Sequence, residues 1–242
     1  LGKEFVKEIS NKYHTLDEIW VIARREERLI ALQNEITTKL VPIEMDLSDI
    51  DELDRFRLRL KEKKPKVLFL VNCAGYGKIG NFLEVPYEDE IGMVQLNCLS
   101  LTAATYAVLP YMVKNSRIIQ LSSSAAFLPQ PRFAVYAATK SYVLSFSRAL
   151  GRELKSKSIS VTAVCPGPVK TEFFDIAEET GKISLYKKLV MADANKVVKK
   201  ALKDSALGKS MSVYGANMKG LHLLSKILPH ELVLKFFPSQ ER

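Results

Sequence analysis

Apolar residues fall in two rhythms along this chain. Short β-rich runs, several apolar at consecutive positions, occupy 19–22, 40–44, 67–71, 118–121, 159–164 and 211–214. Between them, longer stretches at helical spacing occupy 3–12, 25–37, 49–62, 88–113, 135–155 and 194–203. Strands that are apolar at successive positions must be covered on both faces. Strand and helix in alternation predict βαβ units, hence an α/β fold with a parallel, doubly wound sheet. No fixed-period repeat, low-complexity segment or Gly/Ser-rich or Pro-rich linker divides the chain, so 1–242 reads as a single domain. Ligands of such sheets bind at the carboxyl ends of the strands, where chemistry is to be sought.

Composition narrows the class. With 47% hydrophobic and 26% charged residues, the chain is neither disordered nor a disulfide mini-protein. Nowhere do about 18 apolar residues run uninterrupted, so no membrane span is expected. The start, Leu1-Gly2-Lys3-Glu4, lacks the apolar core of a signal peptide. Three cysteines, Cys73, Cys98 and Cys165, are an odd number in apolar stretches; reduced thiols in the cytoplasm are expected. Lys and Arg number 36 against 27 Asp and Glu, a net charge of +9. That surface suits anions, but the basic run from Arg55 to Lys66 has no aromatic platform or recognition-helix pattern. It reads as a solvated helix end, and no nucleic-acid partner is expected. No Cys/His cluster has metal-ligand spacing, so no metal is expected.

Five motifs sit at strand ends or on helices. Tyr136 and Lys140, four apart, share one helix face. A nearby ammonium lowers a phenol's pKa and makes it a usable proton donor and acceptor. Ser123, inside Ser122-Ser123-Ser124, directly follows the run 118–121 and can hydrogen-bond a carbonyl. Asn72-Cys73-Ala74-Gly75 follows 67–71, and its small residues let a ligand approach the backbone. Asn97 lies within a helical pattern. Pro166-Gly167-Pro168-Val169-Lys170-Thr171 follows 159–164, stiffened by two prolines. Each motif taken alone also fits an ordinary surface pair, turn, packing asparagine or loop.

The ordered set Asn-x-Ala-Gly, Asn, Ser, Tyr-x-x-x-Lys and Pro-Gly resembles the short-chain dehydrogenases/reductases, from Leu1 to about Tyr214. The resemblance implies a Rossmann-type fold and a catalytic set of Asn97, Ser123, Tyr136 and Lys140. Tyr136 would be the general acid/base and Ser123 would steady the oxyanion. Lys140 would tune the tyrosine and hold the nicotinamide ribose, and Asn97 would hold a water relaying protons to Lys140. Leu1-Gly2 resemble the last two residues of the family's Gly-rich turn; the first strand and most of that turn are missing from the match. Such folds discriminate cofactors just past the second strand, by an acid for the ribose diol or an arginine for a 2′-phosphate. Ala23 stands where the acid would be, followed by Arg24 and Arg25, so NADP(H) is expected over NAD(H). By the same resemblance, Asp46 and Leu47 lie beside the adenine, and Asn72, Ala74 and Gly75 line the adenosine. Pro166, Gly167, Val169 and Thr171 meet the nicotinamide.

A substrate lid is expected at 172–191, opening with Phe173 and Phe174. With Phe127 and Phe133, these fit an apolar carbonyl compound or secondary alcohol. The apolar segment 219–237 reads as a subunit contact, a lid or a membrane-surface helix; Pro229 interrupts it, which favours packing on protein over membrane contact. By resemblance, a homodimer or homotetramer forms through the helices around Asn97 and Tyr136. Two other classes stay open: a catalytically silent cofactor-binding or regulatory protein on this fold, and a salt-sensitive nucleic-acid binder.

Overall fold

In the computed structural model, residues 1–181 and 191–235 are described. The elements run in chain order as follows. Helix α1 (Gly2–Lys12) leads to β1 (Glu18–Ala23), α2 (Glu26–Gln33), β2 (Lys39–Glu44), α3 (Ile50–Lys63) and β3 (Val67–Asn72). A long helix follows, made of α4 (Tyr87–Val94), a π-helical turn (Gln95–Ser100) and α5 (Leu101–Val108). Then come β4 (Met112–Leu121), α6 (Ala134–Glu153), β5 (Ser160–Val164) and α7 (Phe173–Ala177). Helix α8 (Ala194–Ala206), β6 (Met211–Ser212), α9 (Ala216–Ile227) and α10 (His230–Leu234) complete the described chain.

All strand pairings within the sheets are parallel, in the orders β1-β2 and β3-β4-β5-β6. The two groups share their covering layers. On one side Ile19, Phe69 and Val71 pack with Phe5, Ile9, Val197, Val198 and Leu202, side chains of α1 and α8. On the other, Trp20, Ile22, Val67 and Leu70 pack with Phe56, Leu60, Ala107 and Val108, from α3 and α5. The result is an α/β/α sandwich, as the consecutive apolar runs predict.

The register sets the site. Asn72 pairs with Gln120, Leu121 with Val164, and Val164 with Ser212. Four strands therefore end level, and the loops after β3, β4 and β5 emerge side by side.

Three boundaries depart from expectation. The predicted helix 88–113 ends early, because 112–113 already belong to β4, which is ten residues long rather than four. Asn115 in β4 has φ 68°, a kink within the strand. The predicted helix 25–37 stops at Gln33, where the Gln33 side chain turns back to the Thr38 carbonyl and the Leu40 amide. The predicted strand 211–214 shortens to Met211–Ser212.

The segment Tyr87–Tyr111 is, by length and composition, the one described helix able to cross a membrane, despite the absence of a continuous apolar run. Met93, Asn97, Leu101, Ala104, Thr105 and Val108 form its buried stripe. That spacing and those polar members mark a core helix packed on the sheet.

Candidate active site

Tyr136 lies in the first turn of α6, only 7% exposed. Phe133 stacks on its ring at 4.2 Å and Phe173 tilts against it at 5.3 Å. Burial pushes the phenol up to about 12, against a hydrogen bond with Ser123 that pulls it down. One turn on, Lys140 is 3% exposed, with Nζ 5.6 Å from the centre of the Tyr136 ring. Burial pulls its ammonium down to about 8. The net Tyr136 shift is therefore upward, not downward as the Tyr-Lys spacing alone predicts, because burial of the phenol prevails. Lys140 Nζ donates to Leu121 O at 3.0 Å.

Ser123 extends from the end of β4, its Oγ accepting from the Ala125 amide at 3.1 Å. The neighbouring Ser122 donates to the Lys140 carbonyl at 2.8 Å, pinning α6 to β4. The Ser124 amide donates to Pro166 O at 2.8 Å, which ties the serine loop to the Pro-Gly loop.

Asn97 sits fully buried in the π-helical turn, a wider turn of the kind found at functional sites. Its Oδ1 accepts from the Tyr76 amide at 3.1 Å; Nδ2 donates to Tyr76 O at 2.9 Å and Thr139 Oγ1 at 3.0 Å. Thr139 in turn donates to Tyr136 O at 2.7 Å. Asn97 thus fixes the loop after β3 against α6. Gly75 makes room for it: a Cβ there would stand 2.6 Å from Asn97 Oδ1 and 3.3 Å from Lys140 Nζ.

Residues singled out for a dinucleotide divide into two groups. Gly2 opens α1 beside the end of β3, its would-be Cβ 3.6 Å from Cys73 Cβ. Leu1, the N-cap, makes no side-chain capping bond. Arg24 is exposed, Nη1 lying 3.9 Å from Asp46 Oδ2. Burial raises the Asp46 pKa, but two Ser48 hydrogen bonds and Arg24 outweigh it and leave the carboxyl below the ordinary value. Leu47 is half-buried and Ala74 exposed. Val169 is buried and bridges to Ala192, and Thr171 donates to its carbonyl at 3.4 Å.

Asn72, half-buried at the end of β3, has its side-chain amide bonded to neighbours. Its Nδ2 donates to Thr105 Oγ1 at 3.0 Å and Gln120 Oε1 at 2.8 Å. Its Nδ2 is thus engaged in a polar triangle with Thr105 and Gln120. Arg25 is also engaged, its Nη2 3.2 Å from Glu172 Oε2.

Several contributors escaped the sequence reading. A Cβ on Gly77 would stand 2.6 Å from Tyr136 Cδ2; the second glycine of Gly75-Tyr76-Gly77 was its signal. Gln120, a lone polar residue in an apolar strand, was the signal for the triangle with Asn72. Lys78 is 7% exposed and pairs with Glu179 and Asp89, holding the segment after α7 beside the loop after β3. Nothing local signalled that pairing. Of the lid segment, 182–190 lies outside the described residues, as do 236–237 of the apolar tail.

The donor set suits a dinucleotide: uncapped amides at a helix start, an exposed guanidinium, and a buried ammonium with a single described acceptor.

The family model for short chain dehydrogenases matches residues 1–181. The very-long-chain 3-oxoacyl-CoA reductase of Rattus norvegicus is 33% identical over 192 residues, 74% of this chain and 59% of that protein. The human protein of that name is 32% identical over 190 residues, with the same coverage. The chain thus spans 59% of the length of these relatives. Among solved structures, a short-chain dehydrogenase from Sphingobium yanoikuyae in complex with NADPH superposes with TM-score 0.79 at 23% identity, covering 100% of this chain and 93% of that one. One from Burkholderia phymatum in complex with NAD gives 0.78 at 16%, with the same coverage.

Proposed function

The chain belongs to the short-chain dehydrogenase family, and from that premise we propose that it is an oxidoreductase using NADP(H) on an apolar carbonyl compound or secondary alcohol. The observation that carries the reading is the buried Tyr136 phenol, with Lys140 one helical turn behind it and Phe133 and Phe173 against its ring.

When bound, the nicotinamide supplies or accepts the hydride. The protein handles the proton and the charge. Burial keeps Tyr136 protonated, so it reaches a carbonyl oxygen as a donor. Ser123 offers a second hydroxyl to that oxygen and is held in place before the reaction begins. After transfer, Lys140 sits close enough for its positive charge to steady the phenolate. Phe133 and Phe173 exclude water from the phenol and form an apolar wall. The relatives' named substrate, a very-long-chain 3-oxoacyl-CoA, is a ketone of this kind.

Arg24, exposed one residue after Ala23, which stands where an acid would read the ribose diol, supports NADP(H) over NAD(H). A homo-oligomer is part of the reading, formed through the outer face of α4, α5 and α6. There Ile91, Val94, Leu99, Tyr106 and Tyr142 are exposed. Its place is the cytoplasm, consistent with three free cysteines.

The test pairs binding with turnover. NADPH should raise the melting temperature more than NADH at equal concentration. Tyr136→Phe should keep that shift and lose about 10²–10⁴-fold in kcat across an apolar ketone panel. Full turnover by Tyr136→Phe would refute the mechanism. Binding without turnover by the wild type on that panel would favour the catalytically silent reading.

A further inference from the structure

Glu172 opens the lid and reaches back to the turn after β1. Arg28 Nη1 lies 2.7 Å from its Oε1 and 2.9 Å from its Oε2, and Arg25 Nη2 lies 3.2 Å from Oε2. Both carboxylate oxygens are thus taken by two guanidiniums, which hold the carboxyl below its ordinary pKa. The partners stand 144 and 147 residues away in sequence. On the other side of Glu172, Phe173 packs against Tyr136. A single residue step therefore joins the arginine corner to the wall of the catalytic phenol.

We propose that Glu172 is an internal stand-in for a ligand phosphate. It occupies the Arg25–Arg28 pair, must leave when an adenosine 2′-phosphate arrives, and so couples the phosphate to the Phe173 wall. The inference rests on the cofactor reading above. A phosphate needs the guanidinium N–H groups that Glu172 now uses, and its charge repels the carboxylate. Arg24, turned to solvent and only loosely paired with Asp46, is free to make the first contact. Coupling of this kind is reciprocal: whatever holds Glu172 down weakens the phosphate, and the phosphate loosens the lid's first turn.

The experiment compares 2′,5′-ADP with 5′-AMP, which lacks the 2′-phosphate, by calorimetry on the wild type and Glu172→Gln. Arg25, Arg28 and Glu172 are all more than half exposed, so the exchange should leave the fold intact. Removing an exposed competing ion pair should tighten 2′,5′-ADP by about threefold to fivefold at low salt. Affinity for 5′-AMP should not change, and the gain should disappear near 0.5 M salt, where about 4–5 Å of screening length remains. In the wild type, 2′,5′-ADP and not 5′-AMP should speed amide exchange across 173–177. The inference falls if Glu172→Gln leaves 2′,5′-ADP unchanged or tightens both ligands equally, while the wild type still prefers 2′,5′-ADP. If the wild type binds 2′,5′-ADP no better than 5′-AMP, the cofactor reading falls with it.

Discussion

Replacing Gly75 with alanine adds one methyl group at the most crowded point of the site. The new Cβ would lie 2.6 Å from Asn97 Oδ1, inside the 3.0 Å that Cβ atoms essentially never approach, and φ there is +155°. Asn97 cannot retreat cheaply, because it is fully buried and bonded to Tyr76 and Thr139. An alanine forced into such a backbone conformation costs about 1 kcal/mol. Pulling the amide off its partners leaves buried polar groups unpaired, at about 1–3 kcal/mol. The sum, about 2–4 kcal/mol, is a large share of a typical stability of about 5–15 kcal/mol. At about 2–4 °C per kcal/mol for a chain of this size, the melting temperature should fall by about 5–15 °C. Urea unfolding and calorimetry would read the change. Gly208→Ala is the control: its φ is +67° with nothing within 4 Å of a new Cβ, so only the backbone cost of about 1 kcal/mol applies. If Gly75→Ala costs no more than Gly208→Ala, the crowding argument is wrong.

Lys140→Met should stabilise the ligand-free protein at pH 7. The folded lysine titrates near 8 instead of 10.5, so the wild type bears its full cost below pH 8, at most about 3 kcal/mol. That cost fades between pH 8 and 10.5, and melting curves of the two proteins should converge there; a constant gap would contradict the burial account. Gly77→Val places atoms against Tyr136 Cδ2 and the Phe133 ring. It should lower kcat at least tenfold while the NADPH-induced melting shift survives, and unchanged kcat would show that the ring has room to move. Asp204 is 2% exposed and bonded to Lys200, Lys209 and Ser212. Burial raises its pKa, yet these bonds prevail and leave it lowered, so its contribution is present above pH 3.8 and lost as pH falls through the folded value. Asp204→Asn should cost about 1–3 kcal/mol at pH 7 by urea unfolding, with the gap closing only below pH 3.8.

What could be read from the sequence is what depends on neighbours along the chain. The pairing of Tyr136 with Lys140 follows from one helical turn, and Ser123 from the end of an apolar run. The alternation of strands and helices follows from side-chain periodicity. Other features depend on how distant segments meet. The bond of Asn72 to Gln120 exists only through the β3–β4 register. The Glu172–Arg28 pair spans 144 residues. The direction of the Tyr136 shift needed the rings of Phe133 and Phe173 in place, since burial decides its sign. The apolar tail was expected to pack on protein. It does so in part: His222 tilts against Phe127 at 4.5 Å, and Met218 and Leu221 pack against the Phe127 cluster. Yet Leu223, Leu224 and Ile227 on α9 stay exposed.

The bonds from Asn97 to α6 have a polarity that permits only one arrangement. A threonine hydroxyl carries a single proton, and that of Thr139 goes to the Tyr136 carbonyl, an atom that can only accept. Thr139 must therefore receive from Asn97, which forces Nδ2 to that side and turns Oδ1 toward the Tyr76 amide. The amide has no flipped alternative. Deamidation at this position would keep the volume and reverse the polarity, setting carboxylate lone pairs against two oxygens that now accept. A change of one atom, invisible to packing, would unlock the loop beside α6.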